Sequence, residues 1–181
     1  MKRVLVILIF IVMALAGCSS ETLQGAIGQS KYGAYDNPEI LYQNDEVGVV
    51  IFLTKDGKGD FMVCRSSYEK NGLNRYDLIT GSDNSIPVDI SKKSEFITVD
   101  TITESPNNAI YLVWGGIFHY PSAEEVAYEV RNPQGDQLYQ NKVEINNKHV
   151  FVDILPEKLT DSYSITFDVV DQEGNILFEY N

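Results

Sequence analysis

Several residue types that carry chemistry are scarce in this chain of 181 residues, which has two cysteines, two histidines and one tryptophan. So few histidines and cysteines cannot form a typical zinc site unless carboxylates complete it. H-E-x-x-H, G-x-S-x-G, the P-loop and G-x-G-x-x-G are all absent from the sequence. The sequence therefore names no catalytic residue, no metal and no cofactor.

Basic residues are also in short supply, with 14 Lys and Arg against 26 Asp and Glu and a net charge of −12. An acidic surface repels phosphate groups, which argues against binding to nucleic acid and against electrostatic adhesion to anionic lipid. About 145 residues follow the N-terminal segments, enough for one ordinary domain or two small β units. We expect a monomer.

Long apolar segments are limited to a single run, Val4–Ala16, which follows Met1-Lys2-Arg3. As a helix this run would rise about 20 Å, which is short of the roughly 30 Å hydrocarbon core of a bilayer. A basic start followed by a short apolar core is typical of a secretory signal rather than of a permanent transmembrane helix.

The apolar run ends in Leu15-Ala16-Gly17-Cys18, followed by the polar Ser19-Ser20-Glu21. This pattern resembles the lipobox of bacterial lipoproteins. The resemblance implies that residues 1–17 are removed as a signal peptide and that Cys18 is lipidated with diacylglycerol and a fatty acid such as palmitate. It places the protein on the extracytoplasmic face of the cell membrane, where two or more acyl chains anchor stably. Residues 18–36 are predicted to be a flexible tether that spans roughly 25 Å.

Lipidation of Cys18 would leave Cys64 as a lone cysteine, so that the mature chain could form no internal disulfide. Cys64 ends the apolar stretch Phe61–Cys64. A free cysteine in such a setting behaves as a small buried hydrophobe, and we predict that role for Cys64.

Short apolar or alternating segments separated by turn residues dominate the rest of the chain and predict β-strands. The segments are 47–54, 60–65, 75–80, 86–90, 96–103, 109–118, 126–131, 137–139, 143–145, 150–154, 163–169 and 176–180. The turn Asp56–Gly59 predicts a hairpin between the first two. No segment after the apolar run shows a long helical period, and short helical pieces are an open alternative near Pro38–Tyr42 or Ser122–Glu125. Glu104–Asn108, with Pro106 and two asparagines, is the clearest internal break.

Strands at this spacing predict an all-β fold, an antiparallel β-sandwich. Residues 109–181, with Trp114 on a core strand and Tyr163 at the start of the penultimate strand, resemble an immunoglobulin-like or fibronectin type III-like unit. Tyr163 would then be the tyrosine of the corner motif. Residues 37–104 are predicted to form a small antiparallel β unit before it, and the alternative is that they add strands to one larger sandwich. The whole layout is similar to lipoproteins of Gram-positive bacteria that pair two small β units.

Aromatic residues are the one chemical feature in good supply, with eleven tyrosines in the chain. Trp114, His119 and Tyr120 lie close together in sequence and are predicted to contact a ligand such as a peptide or a sugar ring. Gly115-Gly116 between them indicates a bulge or a close approach by another backbone. The alternative is that these aromatic residues belong to the core.

Three classes of function fit these observations. The first is a non-enzymatic binding or structural module at the cell envelope, with an envelope protein or peptide as its partner. The second is an envelope hydrolase or accessory enzyme that uses His119 or His149 with acidic residues. The third is an inhibitor or assembly factor for another envelope protein. Because no motif supports the second and a sandwich offers exposed loops, we adopt the first.

Overall fold

A computed structural model of the chain describes residues 19–34, 37–89, 95–105, 108–156, 159 and 162–180, and divides the chain into two compact units, 1–87 and 88–181. Cys18 and the predicted signal peptide lie outside the described residues. The first unit contains α1 (Leu23–Gln29), a 3-10 helix (Lys31–Ala34), β1 (Glu39–Asn44), β2 (Val49–Lys55), β3 (Phe61–Lys70), β4 (Tyr76–Leu78) and β5 (Asn84–Pro87). The second contains β6 (Phe96–Ser105), β7 (Asn108–Gly116), β8 (Ala123–Arg131), β9 (Gln137–Glu144), β10 (Val150–Leu155), β11 (Ser164–Asp171) and β12 (Ile176–Tyr180).

Helix α1 lies in the segment that we predicted to be a flexible tether, so that prediction is wrong for residues 23–29. Thr22 caps the helix by accepting a hydrogen bond from the Gly25 amide at 3.0 Å. Leu23, Ala26 and Ile27 fall on one face of the helix and are buried. A seven-residue helix shows only one repeat of this spacing, which the surrounding Gln, Gly and Ser residues obscured. No helix in the described residues is long and apolar enough to cross a membrane.

The first unit is an antiparallel sheet in the order β1-β2-β3-β4, with β5 also paired to β3. The predicted hairpin is confirmed, since β2 and β3 pair from Val49↔Ser67 to Lys55↔Phe61 around the turn at residues 56–60. Helix α1 and the 3-10 helix cover one face of this sheet. The core there consists of Leu23, Ile27, Tyr32, Val50, Phe52, Cys64 and Tyr68.

The two segments after residue 36 that the sequence left open to short helices lie mostly in strands. Residues 39–42 belong to β1, where a register shift between Ile40 and Tyr42 places Leu41 in a bulge. This shift breaks the period of two that identifies a strand in sequence. Residues 123–125 form the start of β8, where the alternation of buried and half-buried residues begins only at Val126.

The second unit confirms the predicted antiparallel sandwich. One sheet has the order β10-β7-β6 and the other β12-β11-β8-β9, an arrangement consistent with an immunoglobulin-like fold. Val113 and Phe151 from the β10-β7-β6 sheet pack in one core with three residues of the other sheet, Val126, Tyr128 and Phe167. Strand β6 lies almost entirely within the range predicted for the preceding β unit, but it pairs with β7 from Phe96↔Gly116 to Ser105↔Asn108. It therefore belongs to the second unit.

Candidate functional site

Trp114, the first of the three predicted ligand-contact residues, is completely buried. Its indole N–H donates to Asp100 Oδ2 at 2.9 Å, and the Phe96 ring packs edge-on against it at 5.5 Å. Gly115 permits a close approach rather than a bulge. A Cβ there would collide with the Phe96 carbonyl oxygen and lie 2.6 Å from the Phe151 ring. Trp114 thus has no surface to offer to a ligand.

His119 and Tyr120 are held by different partners. The Glu95 side chain, with no exposed surface, accepts hydrogen bonds from the amides of Phe118 at 2.8 Å and His119 at 3.1 Å. The same carboxylate lies 3.1 Å from His119 Nδ1. The Tyr120 ring packs against Phe178, with a centroid separation of 5.9 Å. The structure therefore does not combine Trp114, His119 and Tyr120 in one exposed surface.

His149 occupies a turn that fixes its backbone in the left-handed region, with φ of 61°. Its amide donates to the Asn146 carbonyl at 2.9 Å, and the Asn146 side chain accepts from the amides of Lys148 and Val150. Four other turns in the described residues share this construction, with Asp or Asn first and the left-handed residue fourth: Asp56–Gly59, Asn71–Asn74, Asn132–Gly135 and Asp171–Gly174. The position of His149 is explained by turn geometry.

Tyr163 lies just before β11, as predicted, but its side chain is 41% exposed. Within this sandwich the Tyr128 hydroxyl is hydrogen-bonded, since it donates to Asp153 Oδ2 at 2.5 Å. Burial and the bonded carboxylate raise the pKa of Tyr128, so its hydroxyl remains a donor at physiological pH.

A cleft of about 730 Å³ lies in the first unit and is lined by both polar and apolar residues. The cleft arises because β5 pairs only with residues 62–65 of β3, and β4 pairs only with residues 68–70 of β3. Between these pairings the chain detours through a loop, residues 79–83, in which Gly81 has a φ of 80°. The end of α1 and the start of the 3-10 helix form the opposite wall.

Hydrogen bonds attach the detour loop to β3. The Ile79 amide donates to the Ser67 carbonyl at 2.9 Å, and the Ser67 amide donates to Ser82 Oγ at 3.0 Å. Ser82 Oγ donates in turn to the Ile79 carbonyl at 2.7 Å. The Arg65 guanidinium, on a buried residue, donates to the Ser82 carbonyl. These bonds fix the shape of one wall of the cleft.

A charged group at the cleft joins the two walls. Lys31 Nζ lies 2.8 Å from Asp83 Oδ2 and 4.9 Å from the centre of the Tyr32 ring, and the Tyr32 hydroxyl donates to the same carboxylate oxygen. Burial, together with the bond to Asp83, raises the pKa of Tyr32 to about 12. Burial alone would raise the pKa of Asp83, but the bonds from Lys31 and Tyr32 outweigh it and keep that pKa below its usual value.

Ser66 lines the cleft with a hydroxyl that has a weak partner. The residue is only 2% exposed, and Ser66 Oγ lies 3.5 Å from the Ser67 carbonyl oxygen. A good O–H···O hydrogen bond is 2.5 to 3.0 Å long, so this contact leaves most of the hydroxyl's bonding capacity unused. A ligand in the cleft could supply the missing partner, which a buried hydroxyl requires.

Cys64 is buried on the same face of the sheet, as predicted. Burial raises the pKa of its thiol to about 12, with a smaller contribution from the Asp83 charge. A thiol in that state is a poor nucleophile, so Cys64 serves as packing. The described residues also contain no group of three or more His, Cys, Asp and Glu side chains that could hold a metal ion.

A second concavity, of about 630 Å³, lies on the outward face of the β12-β11-β8-β9 sheet. Its centre is the small side chain of Ala127, which is paired across the sheet with Lys142 on one side and Asp168 on the other. It is a shallow polar surface without the attached walls of the cleft.

Few features of the sequence indicate the cleft. Thr22 as a cap with Leu23, Ala26 and Ile27 in helical spacing could have revealed α1, and so one wall. Nothing in the sequence indicates that β4 and β5 leave a gap opposite Ser66.

Comparisons with protein-family models, curated proteins and solved structures found no match for the chain.

Proposed function

We propose that the protein is a lipid-anchored lipoprotein of the extracytoplasmic membrane face, and that it acts there as a non-enzymatic binding module. The anchor is supported by the L-A-G-C sequence at residues 15–18 after a short apolar core. The binding role is supported above all by Ser66, a buried hydroxyl with a weak partner at the edge of a cleft with fixed walls.

The ligand that suits the cleft is a short polar peptide segment of an envelope partner. Peptide groups supply both donors and acceptors, which a hydroxyl such as Ser66 Oγ accommodates in either role. Ala26, Leu78 and Ile79 provide apolar contacts beside it. Because Asp83 is already bonded to Lys31 and Tyr32, the cleft does not require a charged ligand.

The anchor is tested by metabolic labelling with a palmitate analogue and by cell fractionation. The unaltered chain should take up the label and sediment with membranes. Cys18→Ala should remove the label and release the chain from the mature membrane-bound pool. Cys64→Ala is the matched control and should leave label and fractionation unchanged. Undiminished labelling of Cys18→Ala would contradict the proposal.

The cleft is tested with a photo-crosslinking amino acid at Thr80, on the rim, and at Lys58, in the exposed β2–β3 turn outside the cleft. Irradiation of intact envelopes should give a discrete adduct from position 80 and none from position 58. Ile79→Arg, which places a long side chain at the partly exposed rim, should abolish the adduct. Equal adducts from both positions would show that the cleft is not the binding site.

A further inference from the structure

The folded part of the first unit begins almost immediately after Cys18. The Ser20 amide donates to the Tyr76 carbonyl at 2.9 Å, and the Tyr76 amide donates to the Ser20 carbonyl at 2.7 Å. Thr22 then caps α1, and Leu23 is 4% exposed in the core. The link between Cys18 and the first paired residue, Ser20, is therefore Ser19 alone, not the tether of residues 18–36 that the sequence predicted.

This short link has a geometric consequence, which rests on the proposed lipidation of Cys18. Two residues span at most about 7 Å even when fully extended. A protein acylated at Cys18 would therefore hold Ser20 beside the headgroup layer. The first unit would be positioned against the membrane, with no freedom to move away from it.

The register of the sheet shows which end of the unit would face the membrane. Ser20 pairs with Tyr76, and Tyr76 pairs with Lys70, the last residue of β3. The β2–β3 turn lies at the other end of β3, about 30 Å away for a ten-residue strand. The end at Lys70, with the β3–β4 turn at residues 71–75, is the end nearest to Cys18.

Leu73 lies in that turn and is 81% exposed, more than any other large apolar side chain of the described residues. The turn is well fixed, because the Asn71 side chain accepts hydrogen bonds from the amides of Leu73 at 3.0 Å and Arg75 at 3.1 Å. Residues 70–75 contain two basic residues, Lys70 and Arg75, and no acidic one, in a chain of net charge −12.

We propose that Leu73 is a second membrane contact, inserted at the boundary between headgroups and acyl chains beside the lipid on Cys18. Exposed apolar residues flanked by Lys and Arg are suited to this boundary, since the basic groups can reach the headgroups while the apolar one is buried. Lys70 is within 3.7 Å of Asp45 Oδ2, but both side chains remain exposed, so this pair is weak and can exchange for a lipid phosphate.

The test uses the full chain, processed in cells, purified in acylated form and reconstituted in vesicles of phosphatidylcholine and phosphatidylglycerol. An environment-sensitive fluorophore is attached at Leu73→Cys in one sample and at Lys58→Cys, in the distant β2–β3 turn, in the other. The native Cys64 is buried and will not compete for the label. Lipids that carry a quencher at the headgroup boundary report contact.

We expect blue-shifted emission and strong quenching at position 73, with emission as in water at position 58. A second variant, Arg75→Gln, should reduce quenching at position 73 in vesicles that contain phosphatidylglycerol. Equal, weak quenching at both positions in protein that mass spectrometry shows to be acylated would overturn this contact and leave the anchor standing. Absence of acyl mass on Cys18 would overturn the anchor, and with it the basis of this inference.

Discussion

The two units differ in how they use polar residues. The sandwich of residues 88–181 contains 16 of the 26 acidic residues but only six of the 14 basic ones, and its core is formed mainly by apolar side chains. The first unit has a more even charge balance, with a free cysteine and a bonded Lys31–Tyr32–Asp83 group at a cleft. This difference in charge and bonding fits the proposal that the binding site lies in the first unit.

The largest losses of stability are expected from substitutions in the two hydrophobic cores. Phe52 in the first unit and Phe151 in the second are each at most 1% exposed, and truncation of either to Ala should cost about 3–5 kcal/mol. Urea unfolding with a probe in each unit measures this. If the units unfold independently, Phe52→Ala shifts only the transition of the first unit and Phe151→Ala only that of the second. If either substitution shifted both transitions together, the two units would not unfold independently.

At low pH a smaller change in the free energy of unfolding, caused by Asp83, should distinguish the two units. The folded-state pKa of Asp83 is below its usual value, so the ionised carboxylate stabilises the first unit at pH values above the unfolded pKa, near 4. That contribution is lost as the pH falls through the folded pKa. Asp83→Asn should cost about 1–2 kcal/mol at pH 7, since Lys31 is largely exposed and the bond from Tyr32 becomes a neutral one.

Unfolding of the Asp83→Asn chain followed from pH 7 to pH 3 tests this assignment. The difference from the unaltered chain should diminish as the pH falls and should be confined to the probe in the first unit. Asp60→Asn, at an exposed turn position of the same unit, is the control and should change little. If the difference in stability between the two chains stayed constant across the whole pH range, Asp83 would not be the titrating group.

The sequence predicted the sandwich well and the first unit less well, for physical reasons that particular residues show. In β11, Ile165, Phe167 and Val169 alternate with polar residues, and this period of two survives folding unchanged. In β1 the bulge at Leu41 breaks the period, and α1 is too short to show one. Local patterns predict elements, whereas the cleft depends on where two short strands stop pairing with β3, which no local pattern records.

The contact residues show the same limit. Trp114 was predicted to contact a ligand because aromatic residues cluster around it in sequence, but it is buried where β6 and β10 pack close to β7, an approach that Gly115 permits. No sequence pattern distinguishes Ser66, because serine is common, and its proposed role in binding rests on its burial beside a gap in the sheet. Sequence composition identifies unusual residues, but a binding site can consist of ordinary residues in an unusual position.

The smallest changes in stability are expected from substitutions in one turn of each unit. Asn74 and His149 both occupy the left-handed fourth position of the shared turn, with φ of 58° and 61°, where the other three turns have glycine. A left-handed conformation costs roughly 1–2 kcal/mol for an ordinary L-residue and less for Asn. His149→Gly should therefore stabilise the second unit by about 1 kcal/mol, and Asn74→Gly should change the first by less, because glycine also gains entropy in the unfolded chain. Thermal unfolding of both variants measures the difference. A destabilised His149→Gly would show that the imidazole makes contacts that outweigh its backbone strain, and His149 would then require a role beyond the turn.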